Sequence, residues 1–281
     1  MPVLESASAH DLKRLLELFP ISNLREAWPD LKGTKEDICF SVASTRDYEQ
    51  ICRFLEDTFG CCKQHVYIFT HGQEVTQLPA ELGGFGVVGT QGPGRALHVI
   101  RTTYNVVLKN PLEETTLDFL WPVLLELTSQ HLLVRFVVLE KDLNSYFDRQ
   151  YYVGNRSVEE RTILDALAKL NLQPLDLHKG IKKMWEDGFM DSPRAKYKKP
   201  ISMASEAMDE ERGIREYNPQ LYETLMESVL YTTAFVIPEE QGCGVSALVT
   251  NPSAGYLAFP RYSEKKDGTD FVIGKVLEHN Q

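Results

Sequence analysis

Residues 155–200, NRSVEERTILDALAKLNLQPLDLHKGIKKMWEDGFMDSPRAKYKKP, carry the densest set of structural signals in the chain. Ser157 followed by Glu160 has capping-box spacing, in which the hydroxyl and the carboxylate each take one unpaired amide at a helix start. Ile163, Leu164, Leu167 and Leu170 recur at helical intervals, so residues 159–170 are expected to form one amphipathic helix. Pro174 suits the first turn of a second helix, where its missing amide hydrogen would go unpaired anyway. Leu177, Ile181, Met184 and Trp185 share one face of that helix, and Gly188 stops it. Arg194, Lys196, Lys198 and Lys199 then surround Tyr197 in a basic, strand-like tail. Two short helices, a glycine stop and a basic tail outline an insertion of winged-helix character over residues 155–230.

Composition bounds what such a unit could do. The chain has 281 residues, 43% hydrophobic and 25% charged, which is ordinary for a globular protein with a sizeable core. Its formal net charge is -10, which argues against a protein that coats a polyanion with a uniform positive field. Any such contact has to be local. From Lys179 to Lys199 there are seven Lys or Arg against three Asp or Glu, a balance of +4 that leaves about -14 for the remainder. Five cysteines without a regular framework fit a reducing compartment better than a disulfide scaffold. Residues 1–10 lack a basic start followed by an apolar run, and no apolar stretch reaches the roughly 20 residues of a spanning helix. The expectation is an intracellular protein, cytoplasmic or nuclear, without membrane contact.

The N-terminal sixty residues read as helices. Leu12, Leu15, Leu16 and Phe19 repeat at helical spacing up to Pro20, and Leu24, Ala27 and Trp28 form a short helix closed by Pro29. Thr34 with Asp37 caps a third helix carrying Ile38 and Val42, and a fourth bears Tyr48, Ile51, Phe54 and Leu55 up to Gly60. The run Asp11-Leu12-Lys13-Arg14-Leu15-Leu16, followed by Gly33-Thr34-Lys35-Glu36-Asp37-Ile38, resembles the two helices of a SAP motif over residues 11–43. This chain carries an additional helix, residues 23–28, between them. The resemblance implies a helical module that contacts DNA.

After residue 61 the pattern turns to strands. Residues 66–69 and 97–108 read as strands, 116–128 as a helix kinked at Pro122, and 132–139 as a strand buried on both faces. Residues 201–213 read as an acidic exposed helix or linker, and Pro219 opens a helix with Leu221, Tyr222, Leu225, Met226 and Val229 inward. Residues 232–237, 245–249, 256–259 and 271–276 read as four closing strands that join the sheet begun at Val66. The fold class expected is α+β: a helical module at 1–60, a mixed sheet at 61–154 with 231–281, and the helical insertion at 155–230.

Candidate chemistry is sparse. Gly84, Gly86 and Gly89 satisfy G-x-G-x-x-G, but Gly92-Pro93-Gly94 and a strand follow where a nucleotide fold needs a helix, so a surface loop is expected. Cys61, Cys62, His65 and His71 offer zinc-type ligands within eleven residues, yet adjacent cysteines are poor joint ligands; no metal or cofactor is expected. Asp118, Glu140, Lys141 and Asp142 are what a metal-dependent nuclease would have available. The strongest set is Lys179, Lys182, Lys183, Arg194, Lys196, Tyr197, Lys198 and Lys199, where a helix and its following strand could straddle a phosphate backbone and Tyr197 could stack on a base. The first expectation is a non-enzymatic, DNA-binding accessory protein. The alternatives are a protein-interaction adaptor without nucleic-acid contact, and a metal-dependent nuclease using Glu140 and Asp142.

Overall fold

The computed structural model describes residues 7–71, 77–78, 82, 91–92, 94–109, 112–138, 142–146, 149–153, 157–198, 203–207 and 213–281. In chain order the elements are α1 (Ala9–Glu17), α2 (Ile21–Ala27), α3 (Lys35–Thr45), α4 (Tyr48–Thr58), β1 (Gln64–Thr70), β2 (Gln91–Gly92), β3 (Arg95–Lys109), β4 (Leu112–Leu127), β5 (His131–Val137), β6 (Asp142–Tyr146) and β7 (Arg149–Val153). They continue with α5 (Ser157–Leu167), β8 (Gln173–Pro174), α6 (His178–Glu186), β9 (Asp191–Lys198), β10 (Met203–Ala207), α7 (Ile214–Tyr217), α8 (Pro219–Glu227), β11 (Thr233–Val236), β12 (Ala247–Asn251), β13 (Tyr256–Phe259) and α9 (Gly268–Asn280). The fold is α+β. It divides into two compact units, one of Met1–Asp57 with His71–Leu172, the other of Thr58–Thr70 with Gln173–Gln281. Both units are discontinuous in sequence. Helices α5 and α6, expected to share one winged-helix insertion, belong to different units.

In the first unit the N-terminal helices form where the caps and periodicity put them. Thr34 and Asp37 exchange side-chain and backbone bonds as a capping box on α3, and Ser8 with Asp11 does the same on α1. Phe19 and Trp28 meet Phe54 of α4 with ring centroids 5.3 and 4.7 Å apart. Where a helix was expected over residues 116–128, residues 116–127 are a strand. They belong to β4, which pairs antiparallel with β3 from Arg95↔Glu126 to Lys109↔Leu112, and β5 adds on β4's other side. The apolar run there is continuous because Phe119, Leu120, Trp121, Val123, Leu124 and Leu125 are buried on both faces of the sheet. Pro122 is accommodated because the β4–β5 ladder begins one residue later, at Val123↔Phe136. The strand-helix-strand unit expected over 97–140 is therefore an antiparallel meander.

The second unit is a sheet in the order β10-β9-β11-β12-β13-β1, with β8 also on β1 and every pairing antiparallel. Three of the four expected closing strands form and join β1 as anticipated. The fourth is wrong: residues 271–276 lie in α9, whose buried Thr269, Val272, Ile273 and Val276 recur at helical spacing. Two further boundaries shift. Pro174 sits in β8 opposite Phe69, so α6 starts only at His178, and residues 203–207 form strand β10, not a helix or linker.

Helices α6 and α9 cover one side of this sheet. Trp185 of α6 packs edge-on to Phe235 of β11 at 5.2 Å, and Thr269 of α9 accepts a hydrogen bond from Gln64 of β1 at 2.9 Å. Leu177, Ile181, Met184 and Trp185 are fully buried, as their spacing predicted. Each such side chain contributes about 1.5–3 kcal/mol relative to exposure. The helix opened by Pro219 is shorter than expected: Leu225 of α8 is buried, but Val229 lies past the end of α8 and is 44% exposed.

Candidate nucleic-acid interface

The eight expected contact residues fall on α6 and β9. Helix α6 begins where Asp176 accepts hydrogen bonds from the His178 amide (2.9 Å) and ring Nδ1 (2.6 Å), while Nε2 of the same ring accepts the Leu230 amide at 3.0 Å. It ends at Gly188, whose φ of 72° is the left-handed stop. Its cations do not form a common ridge. Lys182 is half-buried and donates to the carbonyls of Met226 and Ser228 at 2.7 and 2.8 Å, satisfying orphan groups at the end of α8. Burial holds its ammonium below the usual lysine range. Lys183 bonds to Asp187 at 2.8 Å and Glu186 at 3.0 Å, and the Asp187 bond is the larger cause of its raised pKa. Only Lys179 of the three stands exposed without such a contact among the described residues.

Strand β9 alternates. Arg194 and Lys196 are exposed on one face, whereas Ala195 and Tyr197 are buried on the other. Tyr197 is 3% exposed, so its ring belongs to the core and is out of reach of a base. Lys198 ends β9 and is described by its backbone alone; Lys199 lies outside the described residues.

In the stretch 11–43, Lys13 and Lys35 tie α1 to α3, and Arg14 pairs within α1. Lys13 of α1 pairs with Glu36 of α3 and with Glu17 at 3.7 Å, Lys35 donates to the Glu17 carbonyl at 2.6 Å, and Arg14 pairs with Asp11 at 3.6 Å. Of the zinc-type set, Cys61 and Cys62 are buried, with the Cys61 thiol against the Lys265 carbonyl at 3.4 Å, while His71 lies in the other unit and bonds to the Thr128 carbonyl at 2.9 Å. No group of three or more His, Cys, Asp or Glu is placed to hold a metal ion among the described residues. Asp118 and Asp142 lie on β4 and β6 with only their backbones described; Glu140, Lys141 and the three glycines of the G-x-G-x-x-G run lie outside the described residues. Among the described residues no helix is long and apolar enough to cross a membrane.

No family model, curated protein or solved structure matches this chain.

The geometry nevertheless defines a surface that residue-by-residue reasoning missed. Register places Arg194, Ala234, Val249, Ala258 and His65 in one row across β9, β11, β12, β13 and β1, all on the side away from α6 and α9. Four strand spacings make that row roughly 19 Å long. At the β1 end, Tyr67 stands opposite Tyr256, with ring centroids 5.0 Å apart, and His65 meets Tyr256 at 5.6 Å. All three are half-buried, with their rings on the open side. The signal was present in Gln64–Thr70, where His65, Tyr67 and Phe69 alternate with Val66 and Ile68. The partner ring, Tyr256, is too distant in sequence to be linked without the register.

Proposed function

We propose that this is a non-enzymatic, nucleic-acid-associated protein that contacts single strands through the open face of the β9–β1 sheet. One arrangement supports it. Two exposed cations, Arg194 and Lys196, share a sheet face with His65, Tyr67 and Tyr256, while the opposite face is packed under helices. A sheet face that offers rings to unstacked bases and cations to phosphates suits single-stranded DNA or RNA better than a duplex. Docking of a protein without nucleic-acid contact is the alternative, favoured by Val236, which is 49% exposed on the same face and opposite Ala247.

Fluorescence anisotropy with labelled single strands of about 16 nucleotides, and with the corresponding duplex, separates the two across a salt series. We expect single strands to bind more tightly than duplex. Arg194→Glu with Lys196→Glu should weaken binding about tenfold or more, whereas Lys183→Glu should leave it unchanged. Tyr256→Ala should lower affinity without altering the salt slope. Absence of single-strand binding, or binding indifferent to Arg194 and Lys196, leaves the docking role instead.

A further inference from the structure

A second candidate site lies in the same unit, independent of the sheet face. After β11 the chain makes a short 3-10 turn, Glu239–Gln241, stopped by Gly242 at φ 64°, and Gly244 follows at φ 75°. The segment before α9 crosses it: the Glu264 amide donates to the Gly244 carbonyl at 2.9 Å, and Lys265 packs its stem on Gly244. Between the two segments is a cavity of about 340 Å³, with Ile237, Pro238 and Val245 as apolar lining, Tyr262 as an aromatic wall, and Glu239 and Glu264 from separate segments. That size is at the lower end of small-molecule sites, and backbone bonds between the walls form it before any ligand arrives.

The charge of the cavity narrows the ligand. Glu239 and Glu264 make no ion pair or side-chain hydrogen bond among the described residues, and both are exposed. Among the residues that line the cavity, Lys265 is the one cation against two carboxylates, an excess of one negative charge in the lining itself. The ring of Tyr262 already carries the Lys63 ammonium, 4.8 Å from its centroid, so it serves the cavity as an apolar wall and the carboxylates alone recognise charge. Apolar lining, an aromatic wall and an excess carboxylate together favour an apolar chain ending in a cation.

We infer that this cavity binds an alkylammonium group, presented either by a small free amine or by a lysine side chain of a peptide. The two carboxylates take the ammonium by charge-assisted hydrogen bonds, and Ile237, Pro238 and Val245 take the methylenes. Glu239→Gln and Glu264→Gln are surface changes that should leave the fold intact, which circular dichroism checks.

The test is amide chemical-shift titration of the full isotopically labelled chain with n-butylammonium, N-acetyl-lysine methylamide, butyrate and n-butanol. Saturable shifts at Gly242, Gly244, Ser246 and Glu264 are expected with either or both ammonium probes, and the probe that binds more tightly identifies the source. Glu264→Gln should weaken binding about tenfold, and the double Gln variant should abolish it. Equal response to n-butanol would mean apolar filling alone and would overturn the assignment, as would preference for butyrate, affinity unaffected by the Gln variants, or no saturable shift with either ammonium.

Discussion

His98 lies on β3 at 1% exposure, opposite Val123 of β4, and neither ring nitrogen has a hydrogen-bond partner among the described residues. Burial lowers its pKa to about 4, against roughly 6.5 in an unfolded chain. Between those values the unfolded state binds the proton that the folded state refuses. Stability is therefore complete above about pH 6.5, is lost as pH falls through the window, and declines no further from this group below about pH 4. The loss should total on the order of 3 kcal/mol. Urea denaturation at pH 7 and pH 4.5 should show it, and His98→Leu should flatten the difference. Gly180 gives an opposite lesson about local preference. Alanine is favoured over glycine in a helix by about 1 kcal/mol, yet a Cβ here would stand 2.3 Å from the Val276 carbonyl of α9. Overpacking of this kind costs about 1–3 kcal/mol, so Gly180→Ala should lower the melting temperature despite the better propensity. Lys182 and Lys183 show how far a residue's role can be read from sequence: they are chemically equal neighbours, and only the fold sends one to carbonyls of α8 and the other to Glu186 and Asp187.

At the level of elements, local signals carried where local energetics decide. The Thr34 capping box is such a case, and Thr34→Ala should destabilise the protein by about 1 kcal/mol in chemical denaturation, with Thr34→Ser close to the native value. The faces of α1, α6 and β1 were legible for the same reason, because each buries one side and solvates the other. Strand β4 was not. Buried on both faces at Phe119–Leu125, it loses the alternation that marks a strand, and its leucines mimic helical spacing. Helix α9 failed in the other direction, because Phe271, Val272 and Ile273 are β-formers and Gly274 interrupts the helical pattern. Of the candidate interface, Arg194 and Lys196 were legible as cations. That Tyr197 points inward while Tyr67 and Tyr256 meet was not, since side-chain direction on β9 depends on its pairing with β10 and β11.

For the molecule as a whole, charge sets the character of any polyanion contact. With a net charge of -10 and, among the described residues, two exposed cations on the sheet face, binding should release few counterions. Single strands contribute a salt slope of about -0.7 per phosphate contact, so Arg194 and Lys196 together predict about -1.4. A measured slope several times steeper would place the main contact elsewhere on the chain. The division into units has its own effect on how the chain comes together. Gln64 of β1 pairs with Phe259 of β13, 195 positions later. On a ribosome adding about 5–20 residues per second, the apolar side of β1, with Val66 and Ile68, must wait roughly 10–40 s for the strand that will shield its edge. During that interval the nascent chain is a natural client for a chaperone, and any message cut short before β13 yields a polypeptide with that strand left adhesive.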